Sequence, residues 1–278
     1  MKNDYQRYLK SAVRAAQSAG ALQMRSYEKK HDVRFKGEIN LVTEVDQACE
    51  DRILKILRQS FPDHDILTEE TGAHLKASEY KWIVDPLDGT TNYAHGYPCF
   101  CVSIALLHRG KSVVGVVYDP NLNNLFWTVR GGGAWRNKTK IRVSKTKDLK
   151  RSLLATGFAY NVHTAKNDNI DHFTNFLKNS QAVRRDGAAA IDICYVACGR
   201  FDGFWELGLK PWDVAAATLI LEEAGGLSTM FSGDSLDIYG DNILCSNGRI
   251  HRPMLEILRL GRKSGRSRRS NVHPKGNL

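Results

Sequence analysis

The sequence predicts an α/β protein in which layers of helix and sheet pack together as one unit. Three observations support this fold class. Two amphipathic helices open the chain, strands rich in β-branched and aromatic residues follow from Phe100, and strands alternate with helices after Ser152. The chain has 278 residues, 42% of them hydrophobic, which is sufficient for one large domain or two closely packed halves.

The first part of the chain is predicted to form the two helices. Apolar residues recur at spacings of three and four between residues 4 and 27 and again after Asp46, as expected when one face of a helix packs against a core. The apolar positions are Tyr8, Leu9, Ala12, Val13, Ala16, Ala19 and Leu22 in the first helix and Ile53, Ile56 and Leu57 in the second.

Residues 81–96, KWIVDPLDGTTNYAHG, begin as a buried strand that then breaks off. Pro86 and Gly89 follow the apolar run, and neither is expected to continue a strand or the interior of a helix. The sequence therefore predicts a turn that presents Asp85 and Asp88 to one place, followed by the short helix GTTNYA.

The remaining chain is predicted to form an antiparallel sheet and then alternating strands and helices. After Phe100, the run CVSIALLHRG ends in a polar turn, and the run SVVGVVYDPNLNNLFWTV contains one at DPNLNN. Apolar runs separated by short polar turns are typical of antiparallel strands. Beyond Ser152, strands are predicted at residues 153–156, at FDGFWEL and at ILCS, and helices at 170–178, 189–198, 214–224 and after Pro253. The predicted organisation is an N-terminal α+β half (1–148), a C-terminal α/β half packed against it (149–260) and a basic tail (261–278).

Charge and cysteine content argue against several classes of protein. The formal net charge is +10, but residues 261–278 hold six basic residues and no acid, so the residues before them carry 10 − 6 = +4. We expect this tail to be disordered and solvated, with contact to nucleic acid as the alternative. The six cysteines form no CxxC pair, which favours reduced core thiols over a zinc site. Without a signal-peptide or membrane-spanning pattern, a cytoplasmic protein with no membrane contact is expected.

The pairing of Asp85 and Asp88 predicts a specific chemical role for these two carboxylates. Two carboxylates held close together repel each other unless a cation lies between them, and ligands that are all oxygen favour Mg²⁺ or Mn²⁺ over zinc. The alternative is that both residues only cap the short helix that follows them. One aspartate would be sufficient for a cap, so the pair favours a metal site.

Two further acidic positions also lie at the junctions of apolar segments. Glu69 and Glu70 follow a short strand in DILTEETG, and Asp213 precedes a helix in GLKPWDVAAATLILEEAGG. For Asp213 considered alone, a helix N-cap is the more common role.

Two motifs in this chain resemble the signatures of a known family. WIVDPLDGTTNYAHGYP and, later in the chain, KPWDVAAATLILEEAGG resemble the motifs of the inositol monophosphatase family, with TEE upstream and RRDGAAAIDICYVACGRFDGFWELG between them. The resemblance covers roughly residues 5–260. It implies an αβαβα sandwich of the inositol monophosphatase and fructose-1,6-bisphosphatase type, a homodimer, and a Mg²⁺-dependent, lithium-sensitive phosphatase.

The resemblance also implies the site residues. By resemblance, the metal ligands are Glu69, Asp85, the carbonyl of Leu87, Asp88 and Asp213, and they hold two or three Mg²⁺, with Mn²⁺ as a substitute. The catalytic residues by resemblance are Glu69, Thr90 and Asp46. The substrate-binding residues by resemblance are Asp88, Gly89, Thr90, Gly187, Ala188, Ala189, Glu206 and Asp213.

The implied reaction is hydrolysis of the phosphate monoester of a small polyol, with inositol 1-phosphate as the first choice, by activated water and without a covalent intermediate. Fructose 1,6-bisphosphate, histidinol phosphate and a nucleotide 3′-phosphate are the alternatives within the family. Relatives commonly carry Ser or Thr where this chain has Ala188, so a relaxed preference is expected. Arg184 and Arg185 are expected at the surface or an interface, with a second-phosphate contact as the alternative.

Two rival functions are weaker. A haloacid-dehalogenase-type phosphatase has two acids spaced two apart, whereas Asp85 and Asp88 are three apart, and Glu69 and Asp213 have no counterpart there. The other rival is a protein that binds RNA or the transcription machinery and has phosphatase activity as a secondary or vestigial function. A vestigial site should have lost ligands, and all four acids are present.

Overall fold

The computed structural model describes residues 2–29, 34–35, 41–42 and 44–260. Within them the chain forms seven α-helices, a 3₁₀ helix at Leu149–Arg151 and fifteen strands. The helices are α1 (Lys2–Ser26), α2 (Glu44–Ser60), α3 (Thr90–Ala94), α4 (Ile170–Asn179), α5 (Ala189–Ala197), α6 (Pro211–Glu223) and α7 (His251–Arg259). The predicted tail, residues 261–278, lies outside the described residues.

Most strands belong to one eight-stranded sheet in the order β10-β9-β8-β7-β6-β5-β3-β4. Its strands are β3 (Asp65–Thr68), β4 (Ala73–His74), β5 (Tyr80–Asp88), β6 (Cys101–His108), β7 (Lys111–Asp119), β8 (Asn124–Val129), β9 (Ala134–Arg136) and β10 (Thr139–Lys140). Neighbours are antiparallel except β3 and β5, which are parallel. The antiparallel sheet predicted after Phe100 is confirmed.

A second sheet has five strands in the order β12-β11-β13-β15-β14. Its strands are β11 (Leu153–Thr156), β12 (Ala182–Arg184), β13 (Gly203–Leu207), β14 (Leu227–Thr229) and β15 (Asn242–Ser246). Strand β11 is parallel to both of its neighbours, and β15 is antiparallel to both of its own. Two further short strands, β1 (Arg34–Phe35) and β2 (Leu41–Val42), pair with each other.

The helices and sheets form five layers, and three hydrophobic clusters lie between them. Alternation along β5 shows the principle, because Trp82 and Val84 face α1 and α2 while Ile83 faces α5 and α6. The small sheet covers the other side of α5 and α6, and its outer face, including Trp205, packs against α4 and α7. Helix α6 lies so close to β7 that a Cβ on Gly115 would be 2.6 Å from the Ala216 carbonyl. The predicted αβαβα sandwich is confirmed.

Several sequence predictions need correction. The strand predicted to end at Asp85 continues through Pro86 to Asp88, because a β-bulge shifts the register against β6 and takes the proline out of the regular ladder. Helix α6 begins at Pro211 rather than at Val214, since proline is well tolerated in the first turn of a helix. The short strands β1, β2, β4, β12 and β14 were not predicted.

In the part of the chain that the structure describes, no helix is both long enough and apolar enough to cross a membrane.

Candidate active site

A cavity of about 310 Å³ opens where the large sheet, the small sheet and the N-terminal ends of α5 and α6 meet. Its lining contains five acidic side chains contributed by separate parts of the chain. They are Glu69, Asp85, Asp88, Glu206 and Asp213. The backbone of Leu87 and the start of α3 complete the same wall.

Asp85 and Asp88 lie on either side of the β-bulge in β5, and both are buried. Asp85 accepts a hydrogen bond from the N–H of Leu87 at 2.9 Å, and Asp88 accepts one from the N–H of Ala190 in α5 at 2.8 Å. Burial raises the pKa of both carboxyl groups, and the neighbouring acids raise it further. The bulge therefore directs both side chains into the cavity, as predicted.

The alternative in which these acids cap α3 is wrong. The residue that caps α3 is Gly89, with φ 93°, and no side chain accepts a hydrogen bond there. A Cβ on Gly89 would lie 2.7 Å from the Cys99 carbonyl, so this position requires glycine. The carboxylates thus have no role in capping α3.

Asp213 is the third residue of α6 rather than its N-cap. Its carboxylate accepts the N–H of Lys210 at 2.6 Å, so it completes the helix start while lining the cavity. Burial, and then the charge of Asp88, raise the pKa of Asp213. Structural and chemical roles coincide at this residue.

Thr90 links the cavity wall to a buried acid behind it. Its hydroxyl lies 3.0 Å from Asp46 Oδ1 and 3.0 Å from the Leu87 carbonyl, and it can donate its single proton to one of them at a time. Asp46 is buried and does not line the cavity. Its side chain contacts the cavity wall through the hydroxyl of Thr90.

The predicted substrate contacts differ in their position. Gly187, Ala189 and Glu206 line the cavity, as do Gly89 and Thr90. Ala188 does not: it is the N-cap of α5, and its side chain is buried in the core.

Sequence reasoning missed part of the cavity wall. The loop after β11 contributes Phe158, Ala159 and Tyr160, and burial raises the pKa of the Tyr160 hydroxyl to about 12. Arg185 lies at the rim, so its assignment to an outer surface or an interface misses this contact, whereas Arg184 is exposed on β12. No sequence pattern pointed to this loop, because aromatic residues in a loop carry no periodicity.

The acidic side chains line one cavity but are not gathered around a single position. Among the described residues, no three histidine, cysteine, aspartate or glutamate side chains are gathered at the spacing of metal ligands. They share one cavity instead, together with Leu87. A profile of the family described as the inositol monophosphatase family matches residues 4–260.

The chain belongs to the inositol monophosphatase family.

Individual relatives agree with this assignment. The inositol-1-monophosphatase of Synechocystis is 43% identical over 258 residues, which cover 92% of this chain and 90% of the relative. A protein named Nus factor SuhB from Pasteurella multocida is 42% identical, covering 89% of this chain and 94% of its own length. The solved inositol monophosphatase of Anabaena superposes with a TM-score of 0.86 at 44% identity, covering 93% of this chain and 98% of that one. As a member of this family of phosphatases, the chain is a phosphoric monoester hydrolase.

In this inositol monophosphatase homologue, one acid outside the cavity stabilises the turn that carries a cavity residue. Glu50 of α2 is fully buried and accepts the N–H groups of Glu70 and Thr71, each at 3.0 Å. These bonds fix the turn that carries Glu69. A sequence signal for this role exists, since Glu50 lies on the apolar face of α2 with Ile53 and Leu57, where an unpaired acid would be costly.

Proposed function

We propose that this chain hydrolyses the phosphate monoester of a small polyol, most simply inositol 1-phosphate, with Mg²⁺ as cofactor. The observation that carries the proposal is the convergence of Glu69, Asp85, Asp88 and Asp213 on one cavity. These acids come from the end of β3, from the bulge of β5 and from the start of α6. Relatives named inositol-1-monophosphatase and inositol monophosphatase support the choice of substrate.

The donor set fits Mg²⁺ or Mn²⁺. Every predicted ligand offers oxygen, from four carboxylates and the Leu87 carbonyl, and no imidazole or thiolate stands in the predicted set. Acids that raise each other's pKa in a buried cavity are stabilised by a cation between them. Bound there, Mg²⁺ would supply positive charge to offset the charge that develops on the transferred phosphoryl group and would increase the acidity of the attacking water.

The chain's own groups would orient that water. When Thr90 donates its proton to Asp46, the lone pairs of its oxygen can accept a hydrogen bond from the water. Glu69, held by the turn that Glu50 anchors, lies on the same cavity and would accept the proton that the water loses. Water then forms the new bond to phosphorus, the bond to the polyol oxygen breaks, and that oxygen takes up a proton from solvent water as it leaves.

Other groups of the same cavity would recognise the substrate. We assign the phosphate to the backbone N–H groups of Gly89 and Thr90 and the polyol hydroxyls to Glu206 and the region of Gly187 and Ala189. The homodimer remains an expectation from the family, and the cytoplasmic location remains an expectation from the sequence.

A panel of phosphate esters tests this proposal. We expect hydrolysis of inositol 1-phosphate to be abolished by EDTA and restored by added Mg²⁺, and to exceed hydrolysis of fructose 1,6-bisphosphate, histidinol phosphate and a nucleotide 3′-phosphate. Release of inorganic phosphate measures all four reactions. Full activity in the chelator would contradict the metal site, and a higher kcat/KM for another ester would move the assignment to that substrate.

A further inference from the structure

A strongly basic segment connects the two sheets. Between residues 136 and 151, RNKTKIRVSKTKDLKR, eight basic residues accompany one acid, which gives a net charge of 8 − 1 = +7. The tail contributes six positive charges, so all other residues together carry 10 − 7 − 6 = −3. The positive charge of the protein before residue 261 is therefore local. We name the exposed cations of this segment the basic strip: Lys138, Lys140, Arg142, Lys145, Lys147, Lys150 and Arg151.

The backbone under the basic strip is fixed to the fold. The N–H of Ile141 donates to Ala134 O at 2.9 Å, and the N–H of Val143 donates to Ala224 O at 3.3 Å. Asn247 donates from its amide to the Ser144 hydroxyl at 2.8 Å and to the carbonyl of Thr146 at 2.9 Å. The ordering cost of this backbone has thus already been met when a ligand binds.

The anchored residues and the cations alternate. Ile141 is buried and Val143 is half-buried, while Arg142 between them is exposed. Lys145 and Lys147 are likewise exposed on either side of the anchored Thr146. Arg142, Lys145 and Lys147 therefore present separate exposed charges within six residues of anchored backbone.

These cations are not neutralised by the protein. In the part of the chain that the structure describes, the carboxylate within ion-pair reach of the strip is Asp148, 3.8 Å from Arg151, and both side chains are exposed. An exposed pair of this kind contributes little. The row of positive charge is therefore available to an anionic partner.

The basic strip is separate from the active site. None of its residues lines the cavity. The strip leads into the N-terminal end of β11 at Leu153, whereas the cavity lies beyond the C-terminal end of that strand, at Gly157. A partner held by the strip would leave the cavity open.

We propose that the basic strip binds the phosphate backbone of a single-stranded nucleic acid. A row of exposed cations on an anchored backbone fits a linear polyanion. Indole rings adjoin it: Trp127 and Trp135 stack with centroids 5.5 Å apart, and Lys140 is the cross-strand partner of Trp135. No large apolar side chain is exposed between residues 136 and 151, so the strip lacks the groups that insert into a lipid surface.

A matched pair of triple variants tests the proposal in the full chain. The first replaces three strip cations (Arg142→Gln, Lys145→Gln, Lys147→Gln), and the control removes the same charge from exposed positions elsewhere (Lys55→Gln, Arg58→Gln, Lys178→Gln). The probes are a single-stranded RNA and a single-stranded DNA, each of about 12 nucleotides, and vesicles of phosphatidylserine and phosphatidylcholine. Fluorescence anisotropy or sedimentation measures binding over a series of salt concentrations.

We expect the strip variant to lose about tenfold or more in affinity for the oligonucleotides, and the slope of log K against log salt to become shallower by about 2 for three lost contacts. The control should retain the wild-type values. A stronger effect on RNA than on DNA would identify RNA as the source of the phosphates, and the reverse would identify DNA.

Four results would overturn the proposal: no binding by the wild type, equal losses in both triple variants, a loss confined to the vesicles, or equal behaviour of the wild type and the strip variant. Equal behaviour of wild type and strip variant would assign the binding to the tail, which both retain. Thermal melting checks that the variants fold, and the double variant Lys145→Gln, Lys147→Gln provides the same test if the triple variant is unstable.

Discussion

Two groups of buried carboxylates in this molecule differ in what surrounds them. Asp202, 7% exposed, accepts hydrogen bonds from the Ser144 hydroxyl and from the N–H of Leu153, and so joins the connecting segment to the small sheet. Asp85, 1% exposed, accepts one N–H and otherwise faces Glu69, Asp88 and Asp213. Both oxygens of Asp202 thus accept hydrogen bonds from the surrounding fold, whereas the negative charge of Asp85 is repelled by neighbouring acids.

The difference separates structural acids from functional ones better than burial does. A buried carboxylate that receives hydrogen bonds from fixed donors stabilises the elements that carry those donors. Buried carboxylates that face each other cost stability unless a cation joins them. Asp202 and Glu50 belong to the first kind alone, whereas Asp85, Asp88 and Asp213 each accept a backbone N–H and also face other acids.

The largest effect should come from Asp88→Asn. We expect kcat to fall by at least about a thousandfold, about 4 kcal/mol, because the variant loses a predicted metal ligand beside the reacting phosphate. The fold should persist, since an amide oxygen can still accept the N–H of Ala190. Phosphate release and thermal melting measure the two properties, and unfolding of the variant would show that Asp88 is a structural acid like Asp202.

Asp202→Ala should have the opposite profile. It leaves the N–H of Leu153 and the Ser144 hydroxyl without their acceptor, which should lower the free energy of unfolding by about 3 kcal/mol. Activity per folded molecule should not change, because Asp202 does not line the cavity. Urea unfolding measures the loss, and Asp202→Asn should show a smaller one. A large drop in kcat at unchanged stability would break the distinction.

The pH dependence of stability sharpens the comparison. Burial first, and neighbouring charge as a further cause, raise the pKa of Asp88 and Asp213 to about 7. A raised pKa means that the stability these groups contribute is present below their ordinary value and is lost as pH rises through about 7. His251 acts in the other direction, since burial lowers its pKa to about 4 and its contribution is complete above pH 6.5.

We therefore expect the melting temperature of the chelated protein to fall as pH rises from 6.5 to about 8, and the stabilisation by Mg²⁺ to grow over the same range. Asp88→Asn should flatten this slope, whereas Asp202→Asn should not. Differential scanning calorimetry measures both. A melting temperature that rises through this window in the chelator would show that the cavity acids do not repel each other.

Much of the fold was predictable because its signals are local. The apolar periodicity of α2 and the regular strand β11 placed these elements close to their observed bounds. The cavity that Asp85, Asp88 and Asp213 line was predictable as a meeting place of acids, because these residues stand in motifs whose spacing is specific. The resemblance supplied the roles that spacing alone could not.

What could not be predicted depends on contacts between distant segments. Strand β12 has three residues and exists because it pairs with β11. The place of Glu50 on the apolar face of α2 indicates that it is paired, but its partners could not be predicted, because they lie in the turn after Glu69, about twenty residues away. Ala188 was assigned to the substrate by the family resemblance, but it is the N-cap of α5, with extended backbone, and its side chain packs into the core.

The smallest effect should come from restoring a hydroxyl at position 188. Ser at the N-cap of α5 can accept the N–H of Ile191, so Ala188→Ser should raise the free energy of unfolding by at most about 1 kcal/mol. Because this side chain does not line the cavity, KM for inositol 1-phosphate should change by less than about threefold, below the effect of one neutral hydrogen bond. Ala189→Ser is the matched control, since it places the same hydroxyl on a residue that does line the cavity, and its KM should change more. Urea unfolding and steady-state kinetics measure the pair. If Ala188→Ser shifts KM and Ala189→Ser does not, the side chain at 188 reaches the substrate and its assignment to the core is wrong.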